Sequence, residues 1–400
     1  RLLPLGVLAR GPPGGVMSGR PFRLAYLSSD PGIAPDGDKG AAVHFREMAL
    51  ALGRAGADLD VFMARGGEAS RFGSGVRIIE AGRDRGPAGE LLTLAGSRAM
   101  LEALAGSSPH DAVYERLSLF GAAGLAHARR EGIPFLLEVN APLWEEARRY
   151  RSLHLGQTAR ALALDVMAGA DHLLVVSKEL SKILVAEGVD RGKIHVMSNG
   201  VNQDLFDAAA PARRPDALEG KPALVFIGSL KPWHGIDFLL EAFLRLRRQT
   251  ALGLWVVGDG PLGGEVARAA AEHPDDIVFD RQVPHEKIPG ILKAADAALA
   301  PYPSTAPAYF CPLKVVEALA AGCPIVASRT TSVTDLAGES PLLELHEPED
   351  SEDFGRAVTR VLQRERGAPR SDHSWQSKAR RVLELAGRVD CPEEPARRLP

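Results

Sequence analysis

Residues 307–328, PAYFCPLKVVEALAAGCPIVAS, hold the groups best suited to chemistry. Pro312 fits the first position of a helix, where a missing N–H costs nothing. Gly322 fits the position just past its end, and Pro324 blocks continuation. The result is a short helix whose N-terminus projects from a strand end. The free N–H groups of Leu313 and Lys314 then point into a cleft, where such a terminus holds phosphate. Lys314 places a cation in that first turn, mildly against the helix dipole, which favours a functional role. Glu317 lies one turn further in. Its carboxylate can accept hydrogen bonds from two adjacent hydroxyls, as on a ribose. The competing reading is an amphipathic helix with a surface Lys and Glu.

The elements that must position this helix alternate along the chain. PFRLAYLSS reads as a buried strand, AAVHFREMALALGRAG as a helix ended by Gly56, and ADLDVFMA as a strand, which together make a βαβ unit. HDAVYERL, IPFLLEVN, DHLLVVS and KIHVMSNG continue the strands, with one long helical stretch expected from about 142 to 169. Residues 203–221 lose the rhythm and read as a linker. A second alternation begins at ALVFIGSL and runs through the Gly-rich strand end WVVGDGP to PIVAS, followed by helices at DFGRAVTRVLQ and SWQSKARRVLELAG. Two sets of β-α repeats predict an α/β chain with two doubly wound, Rossmann-like parallel sheets. Their ligand sites lie beyond the carboxyl ends of the strands, facing each other across a cleft.

The 307–328 segment resembles the signature of retaining GT-B glycosyltransferases of the family 4 type. In that signature one Glu, seven residues and a second Glu precede a small-residue run. Glu317 matches the second Glu, which the resemblance makes the donor-ribose ligand. Tyr309 stands where the first Glu is expected, so the sugar contact of that Glu is altered. Tyr309 to Lys314 is similar to a Tyr-x-Ser-Pro-Leu-Lys variant of the motif. The resemblance runs from Phe22 to about Gly387 and implies a nucleotide-sugar donor, UDP- or GDP-linked, an unidentified acceptor, retention of configuration and a metal-independent hexosyltransferase cleft with no cofactor.

The same resemblance assigns further roles. VFIGSLKPWHG is similar to the loop that grips the diphosphate, but the expected Arg and Lys fall on Ser229 and His234. Lys231 in that loop, with Lys314, restores two positive charges. Gly228, Gly258 and Gly260 let backbone approach the nucleotide, and the Val283 backbone is the base contact. In the first half, Lys39 and Gly40 sit at the cleft, with Gly40 opening its amides to the diphosphate. His44 is one turn into the first helix, either a site residue or a packing one. Asn140 stands where many relatives carry a His near the reacting sugar. Glu138 and Asn140 either serve the site or organise the loop. Asn199 and Gly200 make a turn, and His285 reads as a helix-start residue. The implied division is a leader at 1–19, an acceptor-side domain at 20–204, a donor-binding domain at 205–371, and a helix at 372–390 crossing back to the first domain.

Composition narrows the alternatives. The chain has 400 residues, 45% hydrophobic and 25% charged, with a net charge of −3, which makes no electrostatic case for nucleic acid. Three scattered cysteines exclude a disulfide framework and a cysteine zinc site, and fit a reducing, cytoplasmic compartment. No apolar run reaches the length of a membrane helix. Asp58 and Asp60 form an Asp-x-Asp string of the kind that holds metal elsewhere, but on a strand start within a metal-independent family they read as a decoy. A nicotinamide site would need Gly-x-Gly-x-x-Gly after the first strand, which DPGIAPDGDKG lacks. Loss of the first Glu and of the usual Arg and Lys leaves one rival, a GT-B-like protein that binds without catalysing.

Overall fold

The computed structural model describes residues 20–35, 37, 40–65, 76–78, 87–338, 340–367 and 373–388. The expected leader, Lys39 and Cys391 lie outside the described residues. Two parallel sheets follow each other along the chain. The first holds seven strands in the order β3-β2-β1-β4-β5-β6-β7: β1 (Phe22–Ser28), β2 (Ala57–Met63), β3 (Val76–Ile78), β4 (Ala112–Arg116), β5 (Phe135–Val139), β6 (His172–Val175) and β7 (Ile194–Val196). The second holds six in the order β10-β9-β8-β11-β12-β13: β8 (Ala223–Ile227), β9 (Gly253–Val257), β10 (Ile277–Asp280), β11 (Ala297–Ala300), β12 (Ile325–Ser328) and β13 (Leu343–His346). In each sheet the strand order reverses beside the first strand, which is where doubly wound folds bind ligands.

Helices cover both faces. Around the first sheet lie α1 (Gly40–Arg54), α2 (Pro87–Ala105), α3 (Ala123–Glu131), α4 (Leu143–Tyr150), α5 (Gly156–Gly169) and α6 (Lys178–Ala186). A short α7 (Gln203–Ala208) leads to the second sheet, covered by α8 (Ile236–Leu246), α9 (Gly263–Glu272), α10 (Ile288–Ala294), α11 (Leu313–Ala320), α12 (Thr331–Ala337) and α13 (Ser351–Val361). The last helix, α14 (Trp375–Leu385), returns to pack on α1. Strand alternation splits the first core cleanly. Ala25 and Leu27 face one cluster with Phe62 and Phe135; Leu24 and Tyr26 face the other, with Phe45, Met48 and the α14 residues Trp375, Ala379, Val382 and Leu383. Tyr26 stacks between Phe45 and Tyr114, at 4.1 and 4.8 Å between ring centres.

Three expectations change. The single helix over 142–169 is two, because the chain breaks at 151–155, where the Glu90 carboxylate accepts the N–H groups of His154 and Leu155 and so starts α5. The linker at 203–221 carries α7, whose first turn is capped by the Asn202 side chain on the Leu205 N–H. Elements α2, β3, α12 and β13 were not read from the sequence. Among the described residues no helix is long and apolar enough to cross a membrane.

Candidate functional site

A cavity of about 260 Å³ opens between the carboxyl ends of the two sheets. Gly40, His44, Arg116, Asn140, Asn199 and Gly200 line it from the first half, Phe310, Cys311, Leu313, Glu317 and His285 from the second, and Trp375 from α14. It gathers five expected site residues: Gly40, His44, Asn140, Leu313 and Glu317. Four others expected at the site surround the adjacent loop instead: Gly228, Ser229, Lys231 and His234.

The first-half wall is built on Glu138, at the end of β5. Its buried carboxylate meets His44 Nε2 at 2.9 Å and the Arg116 guanidinium at 2.6 Å, and accepts hydrogen bonds from the Tyr114 hydroxyl and the Asn140 amide. Burial alone would raise its pKa, but His44 and Arg116, with the Tyr114 hydroxyl, hold it well below the usual carboxylate range. The other ring nitrogen of His44 meets Asn199 Oδ1 at 2.9 Å, and Trp375 packs edge-on against the His44 ring at 4.6 Å. Gly200 is needed for this approach, since a Cβ there would lie 2.6 Å from the Trp375 ring. Glu138 and Asn140 therefore organise the wall, and Asn140 also reaches the cavity.

The second-half wall is built on α11. Pro312 is the residue before its first turn rather than within it, with φ −75° and ψ 87°. The Lys314 ammonium is buried and finds no hydrogen-bond partner among the described residues. It lies over the Phe226 ring at 4.2 Å and the Tyr302 ring at 5.0 Å. A Cβ on Gly228 would sit 3.5 Å from it, and Gly228 holds φ at +142°. Burial lowers the Lys314 pKa to about 7, although Glu317 one turn away pulls it upward. Gly258 and Gly260 pack tightly behind this loop. A Cβ on Gly258 would lie 1.9 Å from the Gly228 carbonyl, and one on Gly260 2.7 Å from the Leu230 N–H.

Lys231 lies over the Trp233 ring at 4.8 Å. His234 bonds through Nδ1 to the Ser229 carbonyl, and its ring packs on Tyr302. Burial first, then the charges of Lys314 and Lys231, lower its pKa to about 3, so it adds no positive charge at neutral pH.

Tyr309 turns away from the cavity. It packs against the first core, and its carbonyl accepts the Ser177 hydroxyl at 2.6 Å, joining the two halves. Val283 lines a separate hollow of about 620 Å³ with Trp255 and Asp280. Asp58 and Asp60 sit at the amino end of β2, away from the cleft. Asp58 pairs with Arg23, and Asp60 pairs with Arg23 and His110. Arg116, His285 and Trp375 were not expected at the site. Arg116 is the last residue of β4, a strand whose carboxyl end faces the cleft, which is the one signal that marks it in sequence.

Two family models match the chain: "Glycosyltransferase Family 4" over residues 39–205 and "Glycosyl transferases group 1" over residues 221–364. The chain is 26% identical over 385 residues to the D-inositol 3-phosphate glycosyltransferase 2 of Catenulispora acidiphila, covering 86% of this chain and 88% of that one. It is 30% identical over 190 residues to TuaH of Bacillus subtilis, spanning about half the length of each, 46% of both. Among solved structures, Anabaena HepE in complex with UDP-glucose superposes with a TM-score of 0.62 at 16% identity, covering 92% of this chain and 98% of that one. With two parallel sheets facing one cleft and both halves matched by these models, the chain belongs to the group 1 glycosyltransferases of GT-B fold.

Proposed function

We propose that this glycosyltransferase moves a hexosyl group from a UDP- or GDP-linked sugar to an acceptor, with retention and without metal. The observation that carries the reading is the buried Lys314 ammonium in the first turn of α11, without a hydrogen-bond partner among the described residues, a cation placed where an anion would complete it. The diphosphate sits there, between Lys314, the N–H groups of Leu313 and Lys314, and Lys231, and the ribose on Glu317. As the donor bond breaks, charge grows on the β-phosphate, and fixed donors stabilise it without reorganising. Residues 205–371 bind the donor. Residues 20–204 supply His44 and Asn140 beside the sugar and bind the acceptor. Glu138 is the carboxylate on the first-half wall, but four donors already hold it, so it does not serve as a nucleophile. Acceptor attack on the face the diphosphate leaves, with a phosphate oxygen taking the proton, fits this wall. Work in the cytoplasm fits the cysteine usage.

Calorimetry with UDP and GDP, followed by transfer and hydrolysis assays on UDP- and GDP-sugars with and without EDTA, tests the reading. One nucleoside diphosphate binds, and a donor turns over in EDTA. Glu317→Ala weakens that binding more than tenfold with the fold intact, as expected for a hydrogen bond to a charged group worth roughly 1.5–3 kcal/mol. If neither nucleotide binds and no sugar is turned over, the non-catalytic alternative replaces this one.

A further inference from the structure

Glu317 differs from Glu138 in its company. Glu317 is 7% exposed and has one hydrogen-bond partner among the described residues, His285, whose Nε2 lies 2.9 Å from Oε1. Oε2 has none among the described residues, and Glu317 lines the cavity. His285 opens the turn before α10 and is itself half-buried against the same cavity. A Glu side chain has three torsions, and one fixed oxygen removes most of that freedom at the carboxylate end.

From this geometry we infer that His285 is a positioning residue for the donor ribose: its Nε2–H holds Glu317 Oε1 and so aims Oε2 at the ribose hydroxyls. The inference rests on Glu317 as the ribose-binding group and adds what sets its aim. His285 faces three acids: Glu317 from α11, Glu47 from α1 and its neighbour Glu286. Burial opposes its charge, but the Glu317 hydrogen bond and these carboxylates raise its pKa above the ordinary value, so the ring keeps a proton to donate. Glu47 is anchored in turn by the Asn202 amide at 3.1 Å. A preorganised acceptor reads ribose better than a mobile one, because the ordering has already occurred before binding.

The test is calorimetry of UDP, GDP and their 2′-deoxy analogues on wild type, Glu317→Ala, His285→Ala, His285→Gln and His285→Asn. Wild type prefers the ribonucleotide. His285→Ala loses about five- to tenfold affinity for it, in the range of one hydrogen bond, and little for the deoxy form, so the preference collapses. His285→Gln restores both, because its amide nitrogen reaches the place of Nε2. His285→Asn does not, because its amide stands where Nδ1 was. If Glu317→Ala weakens binding while His285→Ala keeps affinity and preference, or if Gln and Asn fail equally in folded proteins, the positioning role is wrong. If Glu317→Ala binds the ribonucleotide as wild type does, the ribose reading itself falls.

Discussion

The two walls of the cleft solve the same electrostatic problem in opposite ways. On the first-half wall the carboxylate facing the cavity is fully engaged: Glu138 receives His44, Arg116, Tyr114 and Asn140, and His44 continues to Asn199. On the second-half wall, among the described residues, the Lys314 ammonium has no hydrogen-bond partner and lies over two aromatic rings, and one oxygen of Glu317 has no partner. A satisfied network fixes shape, since its groups have no further bond to offer. An unsatisfied buried group is costly until something binds it. The first wall is therefore a frame and the second a receptor.

The largest way to break that contrast is to open the frame. Glu138→Gln leaves Arg116 without its counter-charge and should destabilise the protein by about 3–5 kcal/mol, read by urea unfolding at pH 7. Glu138 has a depressed pKa, so its contribution is present above the ordinary 4.5 and is lost as pH falls through the lower folded value. The gap between wild type and variant should close in strong acid. A gap that stays constant with pH would mean that packing, not charge, holds the wall.

The receptor should respond in the other sense. Lys314→Met should cut transfer by about 10²–10³-fold, the usual loss for one transition-state donor, while raising the melting temperature of the free protein. The Lys314 charge costs stability in full below about 7, and that cost fades as pH rises from there toward 10.5. The stability advantage of Met should fade over the same range. A variant that is both inactive and less stable would place Lys314 in the frame.

The smallest effect sharpens the contrast within the frame itself. Glu115 precedes Arg116 on β4, faces the opposite side of the sheet, and is fully buried with the Gly124 N–H at 3.1 Å and no partner for its other oxygen among the described residues. Burial raises its pKa to about 8. Its ionisation penalty is absent below 4.5, grows up to about 8 and is full above. Glu115→Gln should thus stabilise by about 1 kcal/mol at pH 7.5 and by nothing at pH 4, measured by thermal unfolding.

Much of this was legible in the chain. Buried strand runs such as LAYLSS and ALVFI carry period and flanking turns that mark a parallel sheet, and Pro312, Gly322 and Pro324 bracket α11 closely. The missed elements lack such marks. β3 has three residues, α12 is TSVTDLA with β-branched Thr and Val in a helix, and β13 reads LELH with helix-forming Leu and Glu. The helix spanning 142–169 failed because the residue that interrupts it, Glu90, lies 64 positions away. Lys314 and Glu317 were readable because one helix spaces them. His285 and Glu317, 32 residues apart, meet only through the fold, as do Trp375 and His44.

The return of α14 onto α1 also orders events during synthesis. The face of the first sheet carrying Leu24, Tyr26, Phe45 and Met48 emerges early, yet the residues that cover it, Trp375, Ala379, Val382 and Leu383, are made some three hundred positions later. Domains fold in the order they leave the ribosome. From the completion of β7 at Val196 until α14 begins at Trp375, this chain therefore carries a finished sheet with one apolar side open and His44 without its aromatic neighbour. Until α14 docks on α1, the first half lacks its latch.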